Sequence, residues 1–541
     1  MNLTLDLLHR DNWQRGWLLA FSALDGTTDY EHGLVARTVS GGVEVCLPEK
    51  CPLRFDTGGG GVFGGDFFSV SGAAGKITRG VLVDAHHLLI EGACAWTGEN
   101  PAGLKIAGSG GRMLIGSGQK FNAALLGADF DVLWRERSRW LLSQEIPASL
   151  SPSAARTLAR ALTVMKSQVC SPERKFKRRW TTPDRWPHRD AWLWDTAFHA
   201  VGWRHVDVAL AAETLDAMFA HQRADGFLTY RGTPLGSSDY LGETVTQPPV
   251  LALAAGLVFE KSGDRDWLQN IYPRLATYVE WDLQHRDTDG DGLLKSYIED
   301  DPNCRSSETG MDNSPRFDRA AHPANVDFNA YAARECEVLA ELALTLGRAA
   351  DADRWRSRHR RLCALMREKL WSAEHGFYFD RELSSGRHIE TWTSTGFLPL
   401  FCGAATGEQA CRLAALLNDP RWFGAPLPVP SIAANDPAYA KDMWRGPVWV
   451  NVNWMIAAGF ERYGMREEAA RIREATVSEI ENYCESHGTF FEYYDDRREV
   501  APPLLLRKGE LNPDNPYRQV IHDYGWTTTL YVDLLQTMRH R

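Results

Sequence analysis

Two acidic residues are marked out by the residues around them. In SSETGMDNSPRFD (Ser306–Asp318), Glu308, Asp312, Asn313 and Arg316 are gathered with no apolar run that would make the segment a strand or a helix face. In GTFFEYYDDR (Gly488–Arg497), Glu492 lies between phenylalanine and tyrosine, and Tyr493 follows it. A glutamate among aromatic rings is costly to bury without a use. A carboxyl that keeps its proton in a dry cleft can act as a general acid, while a charged one opposite can activate water. Asp312 as acid and Glu492 as base are therefore the expected catalytic pair. For inversion at a sugar carbon, such carboxyls stand roughly 6.5–9.5 Å apart. Taken alone, the 310–315 stretch would equally suit a charged surface loop.

The chain contains 20 tryptophans in 541 residues, and many of them neighbour Asp, Arg, Asn or Gly. Flat apolar rings beside hydrogen-bonding groups suit a sugar, which has apolar C–H faces and a polar rim. In RDAWLWDTAFHAVGW (Arg189–Trp203) the candidates are Trp192, Trp194 and Asp195, with a helix-capping role as the alternative for the aspartate. His199 reads as a satisfied helical histidine. Gln247 precedes Pro248-Pro249 at the mouth of a helix and can read a hydroxyl. In KDMWRGPVWVNVNWMI (Lys441–Ile456), Trp444, Arg445, Trp449 and Asn453 are expected to face a cavity, whereas Trp454 reads as core. Trp267, Trp281, Trp355 and Trp371 lie in helical patterns and read as packing.

Two regimes of periodicity must position these residues. Up to about residue 145 the chain is Gly-rich, with GGGGVFGGDFF at 58–68 and GSGGRMLIGSGQ at 108–119 between short β-branched runs. Turn residues every eight to twelve positions predict an antiparallel β-sandwich-like domain over 1–145. From 146 to 541 the spacing is helical, with segments near 152–169, 207–222, 246–262, 265–285, 327–348, 351–371, 407–417, 447–463, 465–486 and 525–540. Further helices are expected at 190–201 and 393–402. Ser151-Pro152, Asp264 and Asp351 supply starts. About twelve helices predict six hairpins closed into an (α/α)6 toroid, so the chain reads as mainly α. Its long loops at 223–245, 286–326, 372–390, 418–446 and 487–524 are expected to carry the site.

Composition narrows the partners. The net charge of −10 opposes nucleic-acid binding, and the basic run Arg174–Arg179 reads as a solvated loop. No secretory signal or membrane-length apolar window is present, and ten scattered cysteines lack metal or disulfide spacing. A cytoplasmic location is expected. DTDGDG (Asp287–Gly292) looks like the opening of a calcium loop, but its twelfth position is Ile298, so a structural turn is favoured and no metal site is expected. GGGGVFGG lacks the ending of a phosphate-binding loop.

In order along residues 150–541, the segments WLWDTAFH, TQPPVLALA, ETGMDNSPRFD, WRGPVWVNVNW, FEYYD and the terminal YGWTT resemble glycoside hydrolase family 63 and its bacterial mannosylglycerate and glucosylglycerate hydrolases. The resemblance implies an (α/α)6 barrel that hydrolyses a small α-glucoside or α-mannoside with inversion. It places the general acid at Asp312 and the general base at Glu492. It implies sugar contacts from Trp194, Asp195, Gln247, Arg316, Trp444, Arg445, Trp449 and Asn453, and brings in Trp526. No cofactor is implied, since two carboxylates and water suffice, and the partner is a small carbohydrate. The first 145 residues depart from the small family members. Their segment Gly16–Thr38 reads as a sandwich edge or as a loop limiting substrate length. A trehalase-like or oligosaccharide α-glucosidase activity is the alternative. A sugar epimerase would need paired loop histidines, which are absent, and a non-catalytic binding protein would not need Asp312 and Glu492. Arg316, Arg445 and Lys441 could meet an anionic aglycone or pair with nearby aspartates.

Overall fold

The computed structural model describes residues 2–96, 103–237, 243–318 and 322–539. Gly242 of the Gln247 motif and residue 540 of the last expected helix lie outside them. The described chain mixes helix and sheet and divides into two compact units.

The first unit comprises Met1–Asp190, Ile480–Phe491 and Ile521–Val532. Its two large sheets are built from β1 (His9–Arg10), β2 (Leu18–Ala20), β3 (Val35–Val39), β4 (Gly42–Leu47), β5 (Cys51–Arg54), β6 (Gly61–Phe63), β7 (Phe67–Ser71), β8 (Ile77–Asp84), β9 (His87–Glu91), β10 (Ala95–Trp96), β11 (Leu104–Ser109) and β12 (Arg112–Ser117). They form two antiparallel sheets, ordered β1-β6-β7-β8-β9-β12-β11 and β10-β5-β4-β3-β2. The expected sandwich character follows from their alternation. Val43, Val45 and Leu53 of one sheet and Phe68, Leu88 and Ile115 of the other enter a single apolar core. The tetraglycine run opens β6, and Gly16–Thr38 supplies the edge strand β2 and its neighbour β3.

Helices α1 (Phe130–Leu142) and α2 (Pro152–Ser167) complete this part of the chain. The helix α1 was not legible: of FDVLWRERSRWLL only Phe130, Arg137, Ser138 and Leu141 are buried, too thin an apolar stripe to register. In α2, Lys166 is fully buried, with its ammonium 2.7 Å from both Asp25 and Asp66. Burial pushes the Asp66 carboxyl well up, and Lys166 opposes the rise. Lys166→Met should therefore destabilise the protein by about 3 kcal/mol in urea denaturation, because Asp66 loses its counter-ion and Asp25 keeps only the Arg137 guanidinium, at 3.9 Å. A change below about 1 kcal/mol would show that the ammonium stabilises nothing.

The second unit, Ala191–Glu479, Glu492–Val520 and Asp533–Arg541, is built from helix pairs. These are α3 (Leu193–Trp203) with α4 (Val208–Met218), α5 (Leu251–Ser262) with α6 (Arg265–His285), and α7 (Val326–Thr345) with α8 (Ala349–Lys369). They are followed by α9 (Leu398–Phe401), α10 (Gly407–Asn418) and α11 (Val450–Arg462). The two last helices, α12 (Arg466–His487) and α13 (Gly525–Arg539), each contribute residues to both units. Connections of two to four residues within each pair force antiparallel neighbours. Along the row, α5 packs on α3 and α7, α7 on α9, and α9 on α11.

Burial separates the pairs into two layers. Every residue of α3 is buried, and α7 is buried on nearly all sides. The helices α6 and α8, partners of α5 and α7, bury one stripe and expose the rest. Ser151 and Asp264 cap as expected, accepting from Ala154 and Trp267 main-chain N–H groups. Asp351 does not cap: α8 starts two residues earlier and Asp351 lies in its first turn, where a carboxylate still favours the helix dipole. Among the described residues no helix is long and apolar enough to cross a membrane.

Candidate active site

The loop from α6 to α7 is fixed from behind by Glu308. Arg286, just past the end of α6, grips its carboxylate (Nε–Oε2 2.9 Å, Nη2–Oε1 2.5 Å) and also donates to the Thr244 carbonyl. Thr246 and Tyr297 main-chain N–H groups donate to the same carboxylate at 3.2 and 2.6 Å. Four residues on, Asp312 emerges from a tight turn. Gly310 there has φ +71°, and a Cβ on it would come within 2.3 Å of the Trp194 ring. Gly310→Ala should thus displace either the ring or the loop and lower kcat/KM at least ~100-fold, since a shift of about 1 Å at a reacting group costs that much. A variant within threefold of the parent would disprove the fit.

Asn313 ties this turn to the 441–449 loop. Its amide nitrogen donates to Asp442 Oδ2 at 3.1 Å, and its oxygen accepts from Trp444 N at 3.0 Å. Asp442 accepts again from Gly509 N at 3.0 Å, bringing in a third loop. That third loop carries adjacent basic residues with separate targets. Arg507 donates to both oxygens of Glu492, each at 3.1 Å. Lys508, at φ +57°, places its ammonium 2.8 Å from Asp312 Oδ2.

The two carboxylates differ in exposure, with 22% of the Asp312 side chain accessible against 3% for Glu492. The dry cleft expected around Asp312 is therefore corrected: the residue is partly open, and its nearest charged neighbour is an ammonium. Burial pulls the pKa values of Arg507 and Lys508 down, but the carboxylate charges outweigh it and both shift upward, so both remain cationic.

Aromatic rings line the same segments. Trp444 and Trp449 stack at 3.7 Å with planes 2° apart, Trp449 meets Tyr493 at 4.9 Å, and Trp194 meets Trp444 at 6.3 Å. Trp449 Nε1 donates to the Met443 carbonyl and the Tyr493 hydroxyl to that of Leu506. Trp444 Nε1 is buried and has no partner among the described residues. Gln247 Oε1 accepts from Trp194 N at 3.3 Å. Just beyond Gln247, the buried Glu335 of α7 accepts from Ala252 and Leu253 N–H at the start of α5, and burial pushes its carboxyl up to about 7. Trp192 packs edge-on to Tyr230 beneath the Arg231 guanidinium.

The remaining candidates are placed differently. Asp195 is buried in the first turn of α3. Arg316 is 2% exposed and bound to Asp327 (2.5 Å) and Asp380 (3.0 Å), so its charge is spent inside the fold. Asn453 donates to Pro428 O of the 418–446 loop and to Thr476 Oγ1 of α12. Arg445 pairs with Asp318 at the surface, and Lys441 with Asp495 and Asp496. Trp526 lies on α13 in the first unit, buried against Tyr524. His199 is buried and pushed down to about 3, hence neutral. In the Asp287–Asp291 turn the Lys295 ammonium sits among all three carboxylates. A cavity of about 870 Å³ opens past the same loop, lined by Asp318, Glu382, Arg387 and Asp436 among others, but neither Asp312 nor Glu492 borders it.

Arg507 and Lys508 were missed, although RKG after an apolar LLL run was a signal. A basic pair in a loop reads as solvated unless its partners, 15 and 196 positions upstream, are known to converge on it.

Carboxylates and stacked tryptophans on the loops of paired helices define a carbohydrate-active enzyme. Residues 187–527 match the mannosylglycerate hydrolase MGH1-like glycoside hydrolase domain, and the chain belongs to this family, a branch of glycoside hydrolase family 63. It is 29% identical over 402 residues to the mannosylglycerate hydrolase of Thermus thermophilus, covering 60% of this chain and 92% of that one. The crystal structure of a family 63 mannosylglycerate hydrolase from the same species, in complex with glucose, aligns with a TM-score of 0.57 at 27% identity, over 70% of this chain and 99% of that one. A bacterial glucoamylase complexed with acarbose aligns over 98% of this chain and 95% of its own with a TM-score of 0.59, a likeness of fold alone at 10% identity. The protein is a glycoside hydrolase.

Proposed function

We propose that the enzyme hydrolyses a small α-glucoside or α-mannoside with inversion, Asp312 serving as general acid and Glu492 as general base. The observation that carries this reading is the adjacency of Arg507 and Lys508, which tether the two carboxylates to neighbouring positions of one loop. Asp312 gives its proton to the glycosidic oxygen as the anomeric C–O bond breaks. Glu492 takes a proton from a water attacking that carbon from the opposite face, so an α-substrate yields a β-sugar. Trp194, Gln247, Asn313, Trp444, Trp449 and Tyr493 shape the sugar subsite, with the Trp444 indole N–H available to a hydroxyl. Trp192, Asp195, Arg445 and Trp526 remain in the proposed binding set. The catalytic part is residues 146–541 in an (α/α)6 toroid, and residues 1–145, which precede it in the sequence, form a β-rich domain.

Lys508 favours an anionic aglycone such as glycerate, because its partner Asp312 carries no charge while it holds the proton for the leaving group, whereas Arg316, Arg445 and Lys441 are paired with aspartates outside the reaction. An oligosaccharide α-glucosidase or trehalase-like activity is the second reading. It is favoured by the exposed rings of Tyr297 and Tyr517, whose main chains flank this charged cluster and which could stack a second sugar. Monosaccharide release from mannosylglycerate, glucosylglycerate, trehalose, kojibiose and nigerose decides. Turnover of the glycerates at least tenfold above the disaccharides supports the first reading, and the reverse order the second.

A further inference from the structure

The chain neighbour of Asp312 and the loop that holds its side chain share one buried carboxylate, Asp442. Its Oδ2 accepts from Asn313 Nδ2 at 3.1 Å and from Gly509 N at 3.0 Å. Asn313 follows Asp312 in the chain, and Gly509 follows Lys508, whose ammonium lies 2.8 Å from Asp312 Oδ2. The contacts close a ring: Asp442 to Asn313, along the chain to Asp312, across to Lys508, and through Gly509 back to Asp442. Asp442 thus reaches the acid from two sides, each time through another residue.

Main-chain bonds frame this ring. Met443 N donates to Leu506 O at 3.2 Å and Leu506 N to Lys441 O at 3.0 Å, so the segment bearing Asp442 runs beside the one leading to Lys508. Met443 and Lys508 both adopt left-handed backbone, with φ +42° and +57°. Non-glycine residues keep that conformation only where their surroundings enforce it. At the foot of the acid loop Arg305 N donates to Asp312 O at 2.9 Å, and the buried Glu299 accepts from Ser307 N, also at 2.9 Å. These bonds hold the main chain of the acid loop, while the Asp312 side chain is aimed by Lys508.

The base has supports of its own. Arg507, which grips Glu492, donates from N to Glu510 O at 2.8 Å and from Nη1 to Tyr517 O at 3.1 Å. Two residues past Glu492, Tyr494 exchanges main-chain bonds with Val448 at 2.8 and 3.1 Å.

We propose that Asp442 is a positioning residue that aims the Asp312 side chain at the glycosidic oxygen. This rests on Asp312 being the acid. Without Asp442 Oδ2, Asn313 and Gly509 each lose an acceptor, and both the Asp312 turn and the Lys508 ammonium shift relative to the sugar. A displacement of about 1 Å at a reacting group lowers the rate about 100-fold. The loss falls on the step that uses the acid, because the base is anchored elsewhere.

The test is kcat and KM of Asp442→Ala on an α-glycoside and on the matching α-glycosyl fluoride, whose departure needs no proton. On the glycoside kcat should fall about 100-fold, while the fluoride stays within about threefold and both KM values within about twofold. Asp442→Asn, which keeps one accepting oxygen, should stay within about tenfold of the parent on the glycoside. A residue that merely braced the tryptophan-bearing loop would lower both substrates alike or raise KM, and either result overturns the proposal. So does a glycoside kcat within about tenfold of the parent in Asp442→Ala, or a loss in Asp442→Asn as large as that of the alanine variant. If thermal denaturation shows Asp442→Ala unfolded, Asp442→Ser, whose hydroxyl is too short to meet both donors, is held to the same criteria; failure of both to fold also overturns it. Full activity in Asp312→Asn would instead refute the acid assignment beneath it.

Discussion

Asp312→Asn is expected to lower kcat/KM on an unactivated α-glycoside by about 10²–10⁴-fold, the usual worth of a positioned proton donor. The amide keeps the shape of the side chain and an acceptor for Lys508, so the fold should survive, which thermal denaturation checks. The same variant should hydrolyse the corresponding α-glycosyl fluoride within about tenfold of the parent rate, because fluoride departs without protonation. Equal losses on both substrates would mean that Asp312 positions the sugar rather than donating to it. Because Lys508 pairs with Oδ2, Asp312→Asn also leaves the charge of that ammonium uncompensated. An anionic aglycone should then bind no worse, and the loss should fall on kcat rather than on KM.

Glu492→Gln is expected to cause a comparable fall, about 10³-fold, with KM little changed. Here the choice of variant matters. Glu492 is nearly enclosed and is the bidentate partner of Arg507. Alanine would leave a buried guanidinium unpaired at a cost of about 3–5 kcal/mol, confusing loss of a base with loss of fold. Glutamine still offers Arg507 one oxygen. Azide needs no base to attack carbon, so added azide should restore turnover in this variant and form a β-glycosyl azide from an α-substrate. An α-azide, or retained activity without azide, would remove Glu492 from the role of base.

Much of this arrangement is legible in the sequence. The alternation in GVEVCL and the glycine-bounded runs mark β4 and its neighbours, since a pleated strand with one buried face leaves that pattern. The apolar sequence of α3, LWDTAFHAVGW, and the one-sided pattern of α6 differ because one helix is enclosed and the other faces solvent. Asp312 can be picked out because its polar segment has no apolar run to make it a strand or a helix face, and Glu492 because it interrupts a run of aromatic residues. What stays hidden depends on long-range convergence. Arg316 and Lys508 are both basic loop residues, yet one is spent on Asp327 and Asp380 and the other meets Asp312. Glu299 looks like one acid among three in YIEDD, and only its burial against Ser307 separates it from Asp300 and Asp301. The Asp287 turn carries a metal-like pattern, but the side chain that occupies it, Lys295, lies four residues past its last aspartate.

The central claim, hydrolysis with inversion by these two carboxylates, is tested most directly by following the anomeric proton of the first-formed sugar by NMR, before mutarotation, on an α-glycoside that the enzyme turns over. The β-anomer should appear first, with the α-anomer growing in only at the rate of spontaneous mutarotation. Initial accumulation of the α-anomer would contradict the account, since it would require a covalent intermediate and a nucleophile in place of a water held by Glu492.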